Sequence, residues 1–218
     1  MANTIEIELR YEILDATQTT SFFASAQQLS KKHDIDVYWD NPERILWKRG
    51  IFIRTRNDKK LDLKFNRECL NNANIERLDY CEEHSFQLPL TTDDLPKLNS
   101  LLLSLNLKEL SHASLDSLIA TNNFNVHYII DKVRTSYNYQ GFTVAVDEVA
   151  DLGTFLEIEL MTQNANKLEQ IKNDMKTSLA GLKLKPLRLG YCSMILKKHQ
   201  YECYQQGRYA APEDRQLI

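Results

Sequence analysis

Glycine is scarce: the 218 residues contain 6, against roughly 15 at an average usage of about 7%. Gly50, Gly141, Gly153, Gly181, Gly190 and Gly207 are too widely spaced for G-x-G-x-x-G or a Walker A loop, which excludes a nucleotide site cradled by glycine-loop amides. A basic excess is also missing, with Lys+Arg 27 against Asp+Glu 30 and a net charge of -3. Non-specific grip on long nucleic acid usually needs a positive surplus, so no nucleic-acid partner is expected. No apolar run approaches the ~18 residues that would cross a bilayer. Met1 to Thr4 leads straight into alternating sequence, without a basic and then apolar leader. The expectation is a cytoplasmic protein with no membrane partner.

Cys69, Cys81, Cys192 and Cys203 form no C-x-x-C pair, and His33, His84, His112, His127 and His199 show no metal-ligand spacing. Reduced packing thiols and ordinary histidines follow. What is present is a hydrophobic fraction of 43%, ample for a core and incompatible with disorder throughout. With no repeat, linker or low-complexity tract, one domain is expected.

Period-two alternation dominates. Ile5 to Ile13 places apolar residues at odd positions and charges at even ones, the mark of a half-buried strand. Phe22, Phe23, Ala26 and Leu29 recur at helical spacing, with Asp15 or Thr17 as cap. Strands are expected at Ile35–Trp39, Gly50–Arg56 and Leu61–Phe65, with turns at Asp40–Glu43 and Asn57–Lys60. Leu70–Asn74 reads as a loop and Tyr80–Leu88 as a strand. Thr91–Asp94 opens a helix carrying Leu95, Leu98, Leu101, Leu102 and Leu105, and Lys108–Asn125 is ambiguous. Strands resume at Val126–Tyr137, Phe142–Glu148 and Thr154–Met161. A helix through Leu168, Ile171, Met175, Leu179 and Leu182 follows, then one from Tyr191 to about Tyr204 and a loose tail from Gly207. The class is α+β, and a closed antiparallel eight-stranded β-barrel with flanking helices is the natural closure.

The polar strand faces are sorted by charge. Glu6, Glu8, Arg10 and Glu12 share one face of the first strand, and Glu157 and Glu159 one face of the last. Arg54 and Arg56, Asp62 and Lys64, and Lys132 and Arg134 share faces of middle strands. Any one such pair is usually a solvated strand face. If all point into one barrel, however, the first and last strands bring their carboxylates together, and so many acids cannot all stay ionised without a cation. An all-oxygen set suits Mg²⁺ or Mn²⁺. An acidic, metal-holding wall opposite a basic wall suits a linear polyphosphate.

These segments resemble the CYTH superfamily, the triphosphate tunnel metalloenzymes. The family's E-x-E-x-K signature reads Glu6-Ile7-Glu8-Leu9-Arg10, and a Y-x-D-T-P-like segment reads Tyr38-Trp39-Asp40-Asn41-Pro42. L-R-x-R reads Ile53-Arg54-Thr55-Arg56, the next strand's lysine is Lys64, and K-x-R reads Lys132-Val133-Arg134. The closing pattern reads Val146-Asp147 and then Leu152 to Glu159. The matches run in order from residue 5 to residue 160.

The resemblance implies a tunnel domain over residues 1–206 followed by a 207–218 tail. It implies metal held by Glu6, Glu8, Asp147, Glu157 and Glu159, and triphosphate oxygens held by Arg10, Arg54, Arg56, Lys64 and Arg134. Glu82 or Glu83 would add an acid, and Arg188 or Lys185 a C-terminal base, with Arg188 the one assigned. Catalytic roles fall to Lys64 and Arg10. Arg10 stands where the family has lysine, which keeps the charge and loses a titratable amine. The expected activity is metal-dependent hydrolysis of inorganic triphosphate or of an organic one such as thiamine triphosphate. Class IV adenylyl cyclase and a non-catalytic polyphosphate-binding module are the alternatives; the partner is a small-molecule triphosphate, and the protein a monomer or homodimer.

Overall fold

The computed structural model describes residues 5–72, 75, 81–162 and 167–215. One antiparallel sheet organises them. Its strands are β1 (Ile5–Ile13), β2 (Gln27–Asp40), β3 (Phe52–Arg56), β4 (Lys60–Phe65), β5 (Glu82–Gln87), β6 (Asn125–Tyr139), β7 (Phe142–Val149), β8 (Gly153–Thr162) and β9 (Leu184–Pro186). They lie in the order β5-β4-β3-β2-β6-β7-β8-β1-β9. The expected class is therefore present, while the closed eight-stranded barrel is corrected to an open sheet of nine. The short ninth strand pairs Tyr11 with Pro186 on the free side of β1, so that strand's ladder is taken up locally and no ladder among the described residues joins β9 to β5. The gap is crossed by side chains: Lys64 Nζ on β4 lies 3.0 Å from Glu6 Oε2 on β1.

Local chemistry sets the hinges. Asn57 and Asp58 both have positive φ (51° and 52°), which lets the chain reverse within the three residues, Asn57 to Lys59, that separate β3 from β4. Asp15 caps α1 (Ala16–Phe22) by accepting from the Gln18 amide at 2.9 Å. The helix expected to run through Leu29 ends at Phe22, because residues from Gln27 onward pair with β6 in a long two-stranded ribbon. α2 (Ile45–Arg49) and α3 (Arg67–Asn71) are single turns that alternation masks. Residues 73 and 74 of the expected loop, and Tyr80 of the expected strand, lie outside the described residues.

Three apolar clusters cover the sheet. α4 (Leu95–Ser104) and α5 (Leu115–Asn122), the latter within the ambiguous stretch, pack Leu98, Leu102 and Leu118 against Ile53, Leu61 and Leu63. α6 (Leu168–Ser178) brings Met175, and the C-terminal cap of α1 brings Phe23, to Ile7, Leu156 and Ile158. The last expected helix is broken at Gln200 into α7 (Tyr191–His199) and α8 (Tyr201–Gln205). These two cover one end of the inner sheet face through Tyr191, Leu196 and Tyr204, packed near Tyr38, Tyr128 and Phe155. Residues 207–215 are seated on this cluster: Ala210 is buried, and Gly207 lies so close to Trp47 that no Cβ would fit. No described helix is long and apolar enough to cross a membrane.

Candidate functional site: a charge-sorted cavity

Ile7 on β1 and Leu156 and Ile158 on β8 are buried against Phe23 and Met175, and strand alternation turns Glu6, Glu8, Arg10, Glu157 and Glu159 to the cavity side. The same logic turns Arg54, Arg56, Lys64, Lys132 and Arg134 inward from β3, β4 and β6. All of them line one cavity of about 890 Å³. Charges that are remote in sequence thus share one space.

On the basic wall each guanidinium is held from behind by a buried carboxylate. Asp36 on β2 accepts from Arg56 Nε at 2.6 Å and from Arg54 at 3.3 Å, and Asp62 accepts from Arg54 Nε at 3.0 Å. Asp147 accepts from Arg134 Nε at 2.7 Å and from the Tyr191 hydroxyl at 2.9 Å. Burial alone would raise the Asp36 and Asp62 carboxyls, but the arginines hold both below the usual range. Such paired, charge-assisted bonds fix the forks in place. Lys132 is buried, and burial together with Arg134 lowers its pKa despite Asp147 and Asp36 about 4 Å away.

The acidic wall is arranged differently. In the β1–β8 ladder Glu8 faces Glu159 and Arg10 faces Glu157. Arg10 bonds to Glu157 at 2.6 Å and also to Glu8, while Arg134 reaches Glu157 from the other side. Burial pushes Glu157 up, yet Arg10 and Arg134 hold it well below the carboxylate range. Glu6 is lowered by Lys64 against its burial. For Glu8, burial outweighs Arg10 and the carboxyl is raised. Glu159 is pushed up to about 7 by burial and then by Glu6, with Arg134 only a partial offset.

Ten of the eleven expected site residues therefore line the cavity, Arg188 from the segment after β9 among them. Asp147 does not line it; fully buried, it lies behind the wall on Arg134 and Tyr191. Of the open choices, Glu83 lines the cavity near Lys64 (3.6 Å) while Glu82 pairs with Arg67, and Arg188 lines it while Lys185 pairs with Glu12 at 3.0 Å on the exterior. Asp36, Tyr38 and Tyr191 line the cavity without having been singled out from the sequence as site residues. Asp36 alternates with Asp34 on one strand face, a signal that was available; Tyr191 is brought in by tertiary packing alone.

Among the described residues, no three or more His, Cys, Asp or Glu side chains are gathered closely enough to share a metal ion. Arg10 and Lys64 take lone pairs of the acids instead. The donor chemistry nonetheless fits a hard divalent ion: Glu6, Glu8 and Glu159 are oxygen donors on two adjacent strands of one cavity wall.

An antiparallel sheet curled round a cavity with one basic and one acidic wall defines a tunnel-type α+β protein. The CYTH domain family model matches residues 4–188, and the chain belongs to that family. No curated protein matches it. Among solved structures, the "putative adenylate cyclase" of Vibrio parahaemolyticus is 16% identical, with a TM-score of 0.60 over 88% of this chain and 98% of that one. A protein from Pyrococcus horikoshii is 20% identical, with a TM-score of 0.58 over 89% and 99%. A "putative adenylyl cyclase" from Hippeastrum, described as having a dominant triphosphatase activity, is 16% identical, with a TM-score of 0.56 over 89% and 96%. At these identities the likeness concerns the fold.

Proposed function

We propose that the protein is a divalent-metal-dependent triphosphatase, acting on inorganic triphosphate or an organic triphosphate such as thiamine triphosphate. The observation that carries this reading is the facing of two oppositely charged walls within one cavity, with the basic forks fixed from behind. Arg54, Arg56, Arg134 and Arg188 bind the oxygens of the chain. Each fork is planar and bidentate, which suits tetrahedral phosphate edges. Lys64, bridging the gap in the sheet, exchanges its contact with Glu6 for a phosphate oxygen and so orients the reacting end. Arg10 stays charged at any working pH and keeps Glu157 and Glu8 from repelling the substrate.

Glu6, Glu8 and Glu159 would hold Mg²⁺ or Mn²⁺, which supplies positive charge to offset that of the phosphate oxygens. Asp147 and Glu157 serve as partners of Arg134 in this reading. Water attack at the terminal phosphorus releases orthophosphate and leaves pyrophosphate. The walls hold chain and water in line, so positioning and charge stabilisation do most of the work.

The test is incubation of purified protein with inorganic triphosphate, ATP or thiamine triphosphate plus Mg²⁺ or Mn²⁺, with products resolved by chromatography. Orthophosphate release is expected. Cyclic AMP with pyrophosphate from ATP would overturn hydrolysis in favour of cyclisation, and binding without turnover would favour a polyphosphate-binding module.

A further inference from the structure

The family match ends at residue 188, yet the cavity is completed by residues beyond it. Along β3, Phe52, Arg54 and Arg56 alternate onto the inner face, about 6.5–7 Å apart. Phe52 also stands opposite Lys64 in the β3–β4 ladder. The position beside two expected phosphate-binding cations is therefore an aromatic shelf.

That shelf is covered. The Tyr209 ring lies on Phe52 with centroids 6.1 Å apart and planes 16° from parallel, and both rings line the cavity. Gly50 forms the other side of the slot: with φ +73°, a Cβ there would lie 2.7 Å from Tyr209 Cε2. The ring is anchored on both flanks. Gly207 is pressed against Trp47, Arg208 reaches the Ile75 carbonyl at 2.5 Å, and Ala210 is 2% exposed. A ring held this way acts as wall and not as a mobile flap.

We propose that Tyr209 is a specificity-determining residue. Its ring occupies the place where an aryl group attached to the phosphate chain would stack on Phe52. The cavity therefore takes a compact inorganic polyphosphate in preference to a nucleoside triphosphate, an inference that rests on the triphosphate reading above.

The test compares wild type, Tyr209→Ala and Tyr209→Phe by titration calorimetry with inorganic triphosphate and with ATP, in EDTA so that nothing is turned over. Ring stacking sets the scale of the effect at up to about tenfold. Wild type and Tyr209→Phe are expected to favour inorganic triphosphate. Tyr209→Ala should gain roughly 5–10-fold in ATP affinity, with inorganic triphosphate within about twofold. In parallel, p-cresol should raise the melting temperature of Tyr209→Ala and leave wild type unmoved, because it refills an emptied ring slot. If Tyr209→Ala does not fold, Tyr209→Leu takes its place in both arms. Triphosphate binding with an unchanged or weakened ATP affinity in the variant overturns the role of Tyr209 alone. Failure of inorganic triphosphate to bind any of the proteins overturns the triphosphate reading beneath it.

Discussion

The two walls of the cavity carry opposite charge, and they are also built by opposite means. Each arginine of the basic wall is backed by a buried aspartate, Asp36 and Asp62 behind Arg54 and Arg56, Asp147 behind Arg134. The acidic wall has no such backing. Its carboxylates share Arg10, Lys64 and, at Glu157, Arg134 from the basic wall, and Glu159 is left beside Glu6 and Glu8 with its carboxyl pushed up. The difference teaches which half of the site is complete within the chain. Cation forks are pre-organised to receive an anion, while the acids at the β1–β8 seam repel one another in the absence of a further positive charge.

The largest stability effect should come from breaking the seam where the walls meet. Arg134→Ala leaves Asp147 and Glu157 buried without their shared partner, and losing one member of a buried ionic set costs about 3–5 kcal/mol. In a chain of this size the melting temperature should fall by roughly 10 °C; a drop within scanning error would show that the set is not coupled.

Next comes a group outside both walls, at the covered end. His127 is buried beside Trp47, and burial with Arg44 lowers its pKa to about 4. The unfolded chain takes up this proton near pH 6.5, so stability is full above that value and is lost as pH falls toward 4. The loss is on the order of 2–3 kcal/mol. His127→Gln should flatten this part of the denaturant-stability curve, and an unchanged pH dependence would remove His127 as its source.

Lys97→Ala, on the outer face of α4 with its amine 5.2 Å from the Phe86 ring, should cost less than about 1 kcal/mol and leave activity intact. Chemical denaturation and an orthophosphate-release assay would check both. Smallest in stability and sharpest in contrast is Glu159→Gln. Removing one of several like charges should leave the melting temperature unchanged or slightly raised while metal-dependent turnover is lost. A large destabilisation would mean that Glu159 is structurally paired after all.

Alternation made β1 legible over its whole observed span, along with the inward placement of Glu6, Glu8, Arg54 and Glu157, because a period of two needs only local sequence. The Asn57–Lys60 turn was legible for the same reason. β9 was not: three residues, Leu184 to Pro186, carry no periodicity of their own and pair only because β1 offers a free edge. Leu29 satisfied a helical spacing with Phe22 and Ala26, but pairing with β6 outweighs a stretch with few buried side chains. The role of the aspartates behind the arginines was hidden differently. Asp36 looks like any polar strand residue until β3 is laid beside it, and Tyr191 reaches Asp147 from 44 positions away. Which charges face one space was readable; which of them are held from behind depended on the register.

The contrast between the walls is tested most directly by titrating inorganic triphosphate into wild type, Arg54→Ala and Glu159→Gln, in EDTA and at fixed salt. Losing one charge-assisted fork should weaken binding by roughly 10–100-fold in Arg54→Ala. Glu159→Gln should bind as tightly as wild type or more tightly, since without metal that carboxylate only repels the ligand. Equal weakening in the two variants, or no binding by wild type, would contradict a prebuilt basic wall facing an acidic wall that awaits a cation.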